Sequence, residues 1–138
     1  MTLYIDDLRL LKDATDEATK EQDPITHRLF TETRLSDMVS KIETSTRRDG
    51  SLAAERILGL ACECTRLGVD RGYAYFRMDE REVLANNRAR FRLTFYESRP
   101  TDIPIQEVPE SMEADGFAVD ISAAIPIETF RKLCEPYW

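Results

Sequence analysis

Two stretches in the middle of the chain alternate apolar and polar residues with a period of two, which predicts β-strands. The first covers residues 72–78 and the second covers residues 88–96. The apolar positions of the two stretches are Ala74, Phe76, Met78, Ala89, Phe91, Leu93 and Phe95. One apolar side and one polar side are typical of antiparallel strands that cover a core on one face only. Residues 79–87 are expected to connect the strands, with one helical turn at 80–84.

The first half of the chain instead repeats its apolar residues every three or four positions, which predicts helices. A first amphipathic helix is predicted over residues 4–18. Asp23-Pro24 is expected to begin a second helical region that reaches Ile42, either as one helix or as two pieces with a break near Ser36. A third helix is predicted after Ser51, with Gly68 as its left-handed C-terminal cap.

The C-terminal part is predicted to contain an acidic loop, a strand and a short helix. Three prolines and several carboxylates indicate a long loop over residues 98–115. A third strand is predicted over residues 117–121, and Pro126 is expected to begin a helix that ends before Pro136.

This order of elements predicts an α+β fold with one domain, residues 1–138. About three N-terminal helices would pack on one face of a small antiparallel sheet of about three strands, with a short C-terminal helix after it. The expected core residues are Leu8, Leu11, Leu29, Ile42, Ile57, Leu60, Phe76, Phe91, Leu93, Val119, Ile121 and Phe130.

The net charge and the hydropathy of the chain disfavour some classes of binding partner. The 138 residues carry a net charge of -7, which disfavours nucleic acid and anionic membranes as partners. No apolar run approaches the roughly 20 residues that span a membrane, and no signal peptide is recognised. We therefore expect a cytoplasmic protein. Residues 51–96 differ from the rest because their basic residues, all arginines, outnumber the carboxylates.

Cysteine, histidine and glycine give no sign of a cofactor or metal site. Cys62 and Cys64 fall about 200° apart on the third helix, so they are not expected to pair or to chelate one ion. With Cys134 they are predicted to be reduced, buried thiols. His27 is the single histidine, and the five glycines match no phosphate-binding loop.

The candidate binding site is the polar side of the two predicted strands. If the strands form a hairpin, this side combines arginine and tyrosine, which are enriched in protein interfaces and also bind anions and nucleobases. The candidate residues are Tyr73, Tyr75, Arg77, Arg88, Arg90, Arg92 and Tyr96. In a purely structural alternative, the arginines pair with tyrosine rings, with Asp120 and with the protein's own acidic groups.

The leading hypothesis is a small acidic interaction module that acts on another protein as an inhibitor, adaptor, immunity-type or chaperone-like factor. It would use the arginine and tyrosine side chains, the acidic loop 98–115, or both. The alternative is a small enzyme or ligand-binding domain that recognises an anionic substrate or nucleic acid through the same arginines, with Glu80, Glu82 or His27 as acid–base groups. Catalysis is the less favoured role, and the oligomeric state is left open.

Overall fold

A six-stranded antiparallel sheet forms the centre of the computed structural model, which describes residues 23–109 and 119–138. Its strands are β1 (Ile25–Thr26), β2 (Thr31–Arg34), β3 (Val39–Ser45), β4 (Tyr75–Leu84), β5 (Arg88–Tyr96) and β6 (Ile125–Pro126). They lie in the order β1-β2-β3-β5-β4-β6. Two helices, α1 (Ala54–Arg71) and α2 (Ile127–Cys134), pack on one face, and a 3₁₀ turn (Glu135–Tyr137) follows.

The chain is an α+β protein, but the predicted arrangement of three helices on three strands is wrong. Residues 24–42 were predicted as a helix and instead contain β1, β2 and part of β3. The sequence of β2 and β3 does not show a clear alternation of apolar and polar residues, because three of their core-facing positions are polar. These are Glu32, Ser40 and Thr44, each almost fully buried. The predicted helix over residues 4–18 lies outside the described residues.

The β4–β5 hairpin is the part of the sheet that the alternation predicts well. The strand over residues 88–96 is confirmed at both ends. β4 begins at Tyr75 and continues to Leu84, so the helical turn expected at 80–84 is wrong. A bulge between Asp79 and Glu82 interrupts the register, and Glu80 takes a left-handed conformation there with φ 51°.

Helix α1 continues past Gly68, the predicted cap, and ends at Arg71. Gly72 is the left-handed cap, with φ 81°, and its N–H donates to the Val69 carbonyl. Gly68 has a different role, because a Cβ atom there would overlap the Ile127 side chain. The missing side chain lets α2 pack closely on α1.

The segment before α2 also departs from the expected order. The described residues of the predicted third strand, 119–121, are not a strand, and β6 pairs with the edge of β4 instead. Residues 98–109 of the acidic loop are irregular, with one parallel bridge between Ile105 and Ala124. The rest of that loop is not described. The predicted short helix after Pro126 is present as α2.

The prediction of three reduced thiols is wrong for two of them, because Cys62 and Cys134 form a disulfide. The helical spacing excluded a Cys62–Cys64 pair. It did not address Cys134, which α2 brings back to α1 with a Cα–Cα distance of 5.4 Å. Cys64 is a free, fully buried thiol, and burial raises its pKa far above the usual range.

Most of the expected core residues that the structure describes are buried or pack against the core. Phe76, Phe130, Leu60, Ile42 and Leu93 are almost inaccessible, and Phe91 is 3% exposed. Leu29, Val119 and Ile121 pack against them while partly exposed. Ile57, predicted to be central, is only half-buried. Leu8 and Leu11 lie outside the described residues.

Candidate binding face

The face of the sheet opposite the helices carries most of the predicted site residues. Alternation along β4 and β5 sends their apolar side chains toward α1 and α2 and their polar side chains to the other face. We call this surface the arginine face. It consists of Lys41, Glu43, Tyr75, Arg77, Asp79, Glu82, Arg88, Arg90, Arg92, Thr94 and Tyr96. In the described residues, no helix or strand covers it.

Cross-strand ion pairs hold the arginines in place. Arg90 lies between its register partners Glu43 on β3 and Glu82 on β4. Its Nη2 is 2.9 Å from Glu43 Oε1, and its Nη1 is 3.3 Å from Glu82 Oε2. The Glu43 hydrogen bond raises the pKa of the Arg90 guanidinium, so the charge is permanent.

The remaining arginines of the face have looser ion pairs with neighbouring carboxylates. Arg92 Nη1 lies 3.4 Å from Glu80 Oε1, and Arg77 Nη2 lies 3.4 Å from Asp79 Oδ2. Arg88 Nε lies 3.5 Å from Glu43 Oε2. Exposed pairs of this geometry contribute at most about 1 kcal/mol to folding. These pairs limit the conformations of the arginine side chains, and their contribution to the stability of the fold is small.

The structural alternative is partly met. The arginines of the face pair with acidic side chains of the protein itself, but within the described residues no hydrogen bond or ion pair joins them to Asp120. Asp120 Oδ1 instead accepts bonds from the Ser122 hydroxyl at 2.6 Å and from the Ser122 N–H at 3.0 Å. These bonds lower the pKa of the Asp120 carboxyl, with Arg77 as a minor cause.

Three buried polar atoms of the face have no hydrogen-bond partner. They are Nε of Arg77, Nε of Arg92 and Oδ1 of Asp79. Among the described residues, no other buried side-chain nitrogen or oxygen is unpartnered in this way. An unpartnered buried polar atom destabilises the folded protein by about 1–3 kcal/mol, so selection for stability does not explain why three of them lie on one face.

Tyr75 and Tyr96 are register partners at the aromatic end of the arginine face. Tyr73, which was grouped with them, lies on the other side. Its ring stacks on the core residue Phe95 with a centroid distance of 5.2 Å, and its hydroxyl donates to the Asp37 carbonyl at 2.9 Å. It precedes β4, so the alternation of the strand does not apply to it.

A buried polar cluster between β2, β3 and α1 was missed by the sequence analysis. Glu32 is inaccessible and accepts two hydrogen bonds from the Arg71 guanidinium, both at 2.7 Å. The Ser40 hydroxyl donates to it at 2.6 Å, and His27 Nε2 lies 2.9 Å away. Burial raises the pKa of Glu32, but the Arg71, Ser40 and His27 hydrogen bonds lower it more, to about 2. No spacing in the sequence connects these residues, since Arg71 lies 39 positions from Glu32.

The three candidate acid–base groups are not brought together. His27 lies in the turn between β1 and β2, whereas Glu80 and Glu82 lie on β4, with β2, β3 and β5 in between. Each is already bonded, His27 to Glu32, Glu80 to Arg92 and Glu82 to Arg90. The arrangement does not form one catalytic site.

Over residues 23–109 and 119–138, no group of three histidine, cysteine or acidic side chains is placed to hold a metal ion. None of the helices described is long and apolar enough to cross a membrane. Comparison of the chain with protein-family models, curated proteins and solved structures finds no match. The function must therefore be inferred from the surface itself.

Proposed function

We propose that this protein is a small acidic interaction module that binds another protein through the arginine face. The observation that carries the proposal is the location of all three unpartnered buried polar atoms at Arg77, Asp79 and Arg92. Arginine and tyrosine are common in interface hot spots, and side chains already held in place lose little entropy on binding. The inhibitor, adaptor, immunity-type and chaperone-like roles all fit this surface.

The ion pairs also bear on the choice between a protein partner and a small anion. A phosphate or a free carboxylate would have to displace Glu43, Glu80 or Glu82 from the arginines. A protein surface can instead add hydrogen bonds around the existing pairs, with acidic groups opposite the arginines and apolar groups opposite Tyr75 and Tyr96. The anionic-ligand and nucleic-acid alternatives are disfavoured for this reason.

Affinity purification from the native host with a matched control tests the proposal. The test variant combines Arg90→Ala with Arg92→Ala, and the control combines Arg56→Ala with Arg66→Ala on α1. The wild type and the control are expected to recover the same stoichiometric protein. The test variant should bind it more weakly by about 1–3 kcal/mol per arginine. Full affinity of the test variant, or recovery of a nucleotide or small anion instead of a protein, would contradict the proposal.

The cytoplasmic location stays a prediction, and the disulfide makes it testable. Disulfides persist mainly in oxidising compartments. Alkylation in denaturant, directly after the host cells are quenched with acid, exposes the buried thiols and should label only Cys64 where Cys62 and Cys134 are bonded, and all three cysteines in a reducing cytosol.

A further inference from the structure

A groove of about 490 Å³ lies between the end of α1, the beginning of β4 and the first turn of α2. Its lining includes the apolar residues Val69, Ala74 and Ile127 together with Tyr73 and Tyr75. Tyr75 also belongs to the arginine face, so the two surfaces are continuous. We call this site the tyrosine groove.

The charges around the tyrosine groove favour a cation. Glu97 and Glu128 line it, and both are exposed, with the Glu128 side chain 81% accessible. Arg131 also lines it, with its guanidinium bonded to Glu135 at 2.6 Å and 4.0 Å from the Glu128 carboxylate. Two carboxylates and one guanidinium therefore line the groove, and the balance of charge is negative by one.

The two helix ends at the groove contribute partial charges of opposite sign. The C-terminal end of α1, an 18-residue helix, reaches the groove at Val69 and Gly72 and contributes a partial negative charge. The N-terminus of the shorter α2 also lies there, and its partial positive charge is offset by Glu128 in the same turn.

The aromatic part of the groove is fixed before anything binds. The stacking of Tyr73 on Phe95 and its hydrogen bond to the Asp37 carbonyl hold the ring in one position. A cation over a tyrosine ring is attracted by the negative face of the ring, and more strongly when the cation is desolvated. A long aliphatic stem that ends in a cation would contact the apolar lining and the carboxylates together.

We propose that the tyrosine groove binds a lysine or arginine side chain of the partner protein. The inference rests on the proposed function and specifies the chemistry of the partner. The partner segment would place acidic groups on the arginine face and a basic residue in the groove beside it. The arginine face would prefer acidic groups and the tyrosine groove a basic one. Because the two sites meet at Tyr75, together they would fix the direction in which the partner segment lies.

The experiment needs no partner, so its outcome is separate from the purification above. The ¹⁵N-labelled protein is titrated with Nα-acetyl-lysine N-methylamide to about 20 mM, since one side chain binds in the millimolar range. The acetylated norleucine and glutamate N-methylamides are the uncharged and anionic controls. We expect saturable shifts of the Tyr73, Tyr75 and Glu97 amide signals with the lysine compound only.

Two double variants test whether the lysine compound binds in the tyrosine groove. Glu97→Gln with Glu128→Gln should weaken lysine binding by about fivefold. Glu55→Gln with Glu63→Gln removes the same charge from α1 outside the groove and should change nothing. Equal binding of the norleucine compound, absence of saturable shifts, or unchanged affinity of the groove variant would each overturn the assignment.

Discussion

Glu32 on β2 and Arg90 on β5 lie on opposite faces of one sheet. In β2–β3, Glu32 points toward the helices, is inaccessible and is bonded to Arg71 and Ser40. In β4–β5, the charged side chains lie on the face without helices, where Arg90 is 37% exposed. Glu32 is paired with Arg71 of α1 and Arg90 with Glu43 of β3 at similar distances, yet the surroundings of the two pairs differ completely.

The difference in burial determines how much each ion pair contributes to the stability of the fold. A buried carboxylate that loses its partner remains as an uncompensated charge, so the Glu32–Arg71 pair is needed for the fold. An exposed pair contributes at most about 1 kcal/mol to folding, so substitutions on the arginine face should affect binding more than stability.

Arg71→Met should lower the free energy of unfolding by about 3–5 kcal/mol, because it leaves Glu32 charged and unpaired inside the protein. Urea denaturation measures the loss. Arg66→Met, an exposed position on the same helix, is the control and should stay within about 0.5 kcal/mol of the wild type. A loss below about 1 kcal/mol for Arg71→Met would show that the buried pair is dispensable.

Acid should remove the contribution of Glu32. Its pKa is about 2 in the folded protein and 4.5 ordinarily, so the stabilisation is fully present above pH 4.5 and is lost as the pH falls toward 2. The wild type should therefore lose more stability over this interval than Glu32→Gln, which has no carboxyl there to titrate. Parallel pH profiles of the two proteins would contradict the lowered pKa.

Ser40→Ala removes one hydrogen bond to the Glu32 carboxylate and keeps the Arg71 pair. Hydrogen bonds to charged groups contribute about 1.5–3 kcal/mol, so the loss should fall below that of Arg71→Met. Thermal or urea unfolding of the two variants gives the comparison. A Ser40→Ala protein as stable as the wild type would mean that the hydroxyl is not needed to solvate the buried charge.

The same contrast explains how much the sequence could predict. Around Phe91 and Leu93, apolar positions face the core and arginines face outward, so alternation identifies both the strand and most of the candidate face. Around Glu32 and Ser40 the core-facing positions are polar, and their burial depends on Arg71, far away in the sequence. The Cys62–Cys134 disulfide could not be predicted for a related reason, because it depends on how α2 packs against α1.

Arg92→Ala should lower the free energy of unfolding by no more than about 1 kcal/mol, because its pair with Glu80 is exposed and long. Binding to the purified partner should weaken even though the fold is unaffected. A large loss of stability with unchanged partner affinity would assign Arg92 to the fold instead.

Double-mutant cycles on the two kinds of pair test the central claim most directly. Glu32→Ala and Arg71→Ala form one cycle, and Glu43→Ala and Arg90→Ala form the other, with unfolding free energies measured in urea. The account predicts a coupling energy of about 3 kcal/mol or more for Glu32–Arg71 and below about 1 kcal/mol for Glu43–Arg90. Equal coupling energies, or the larger one on the arginine face, would contradict it.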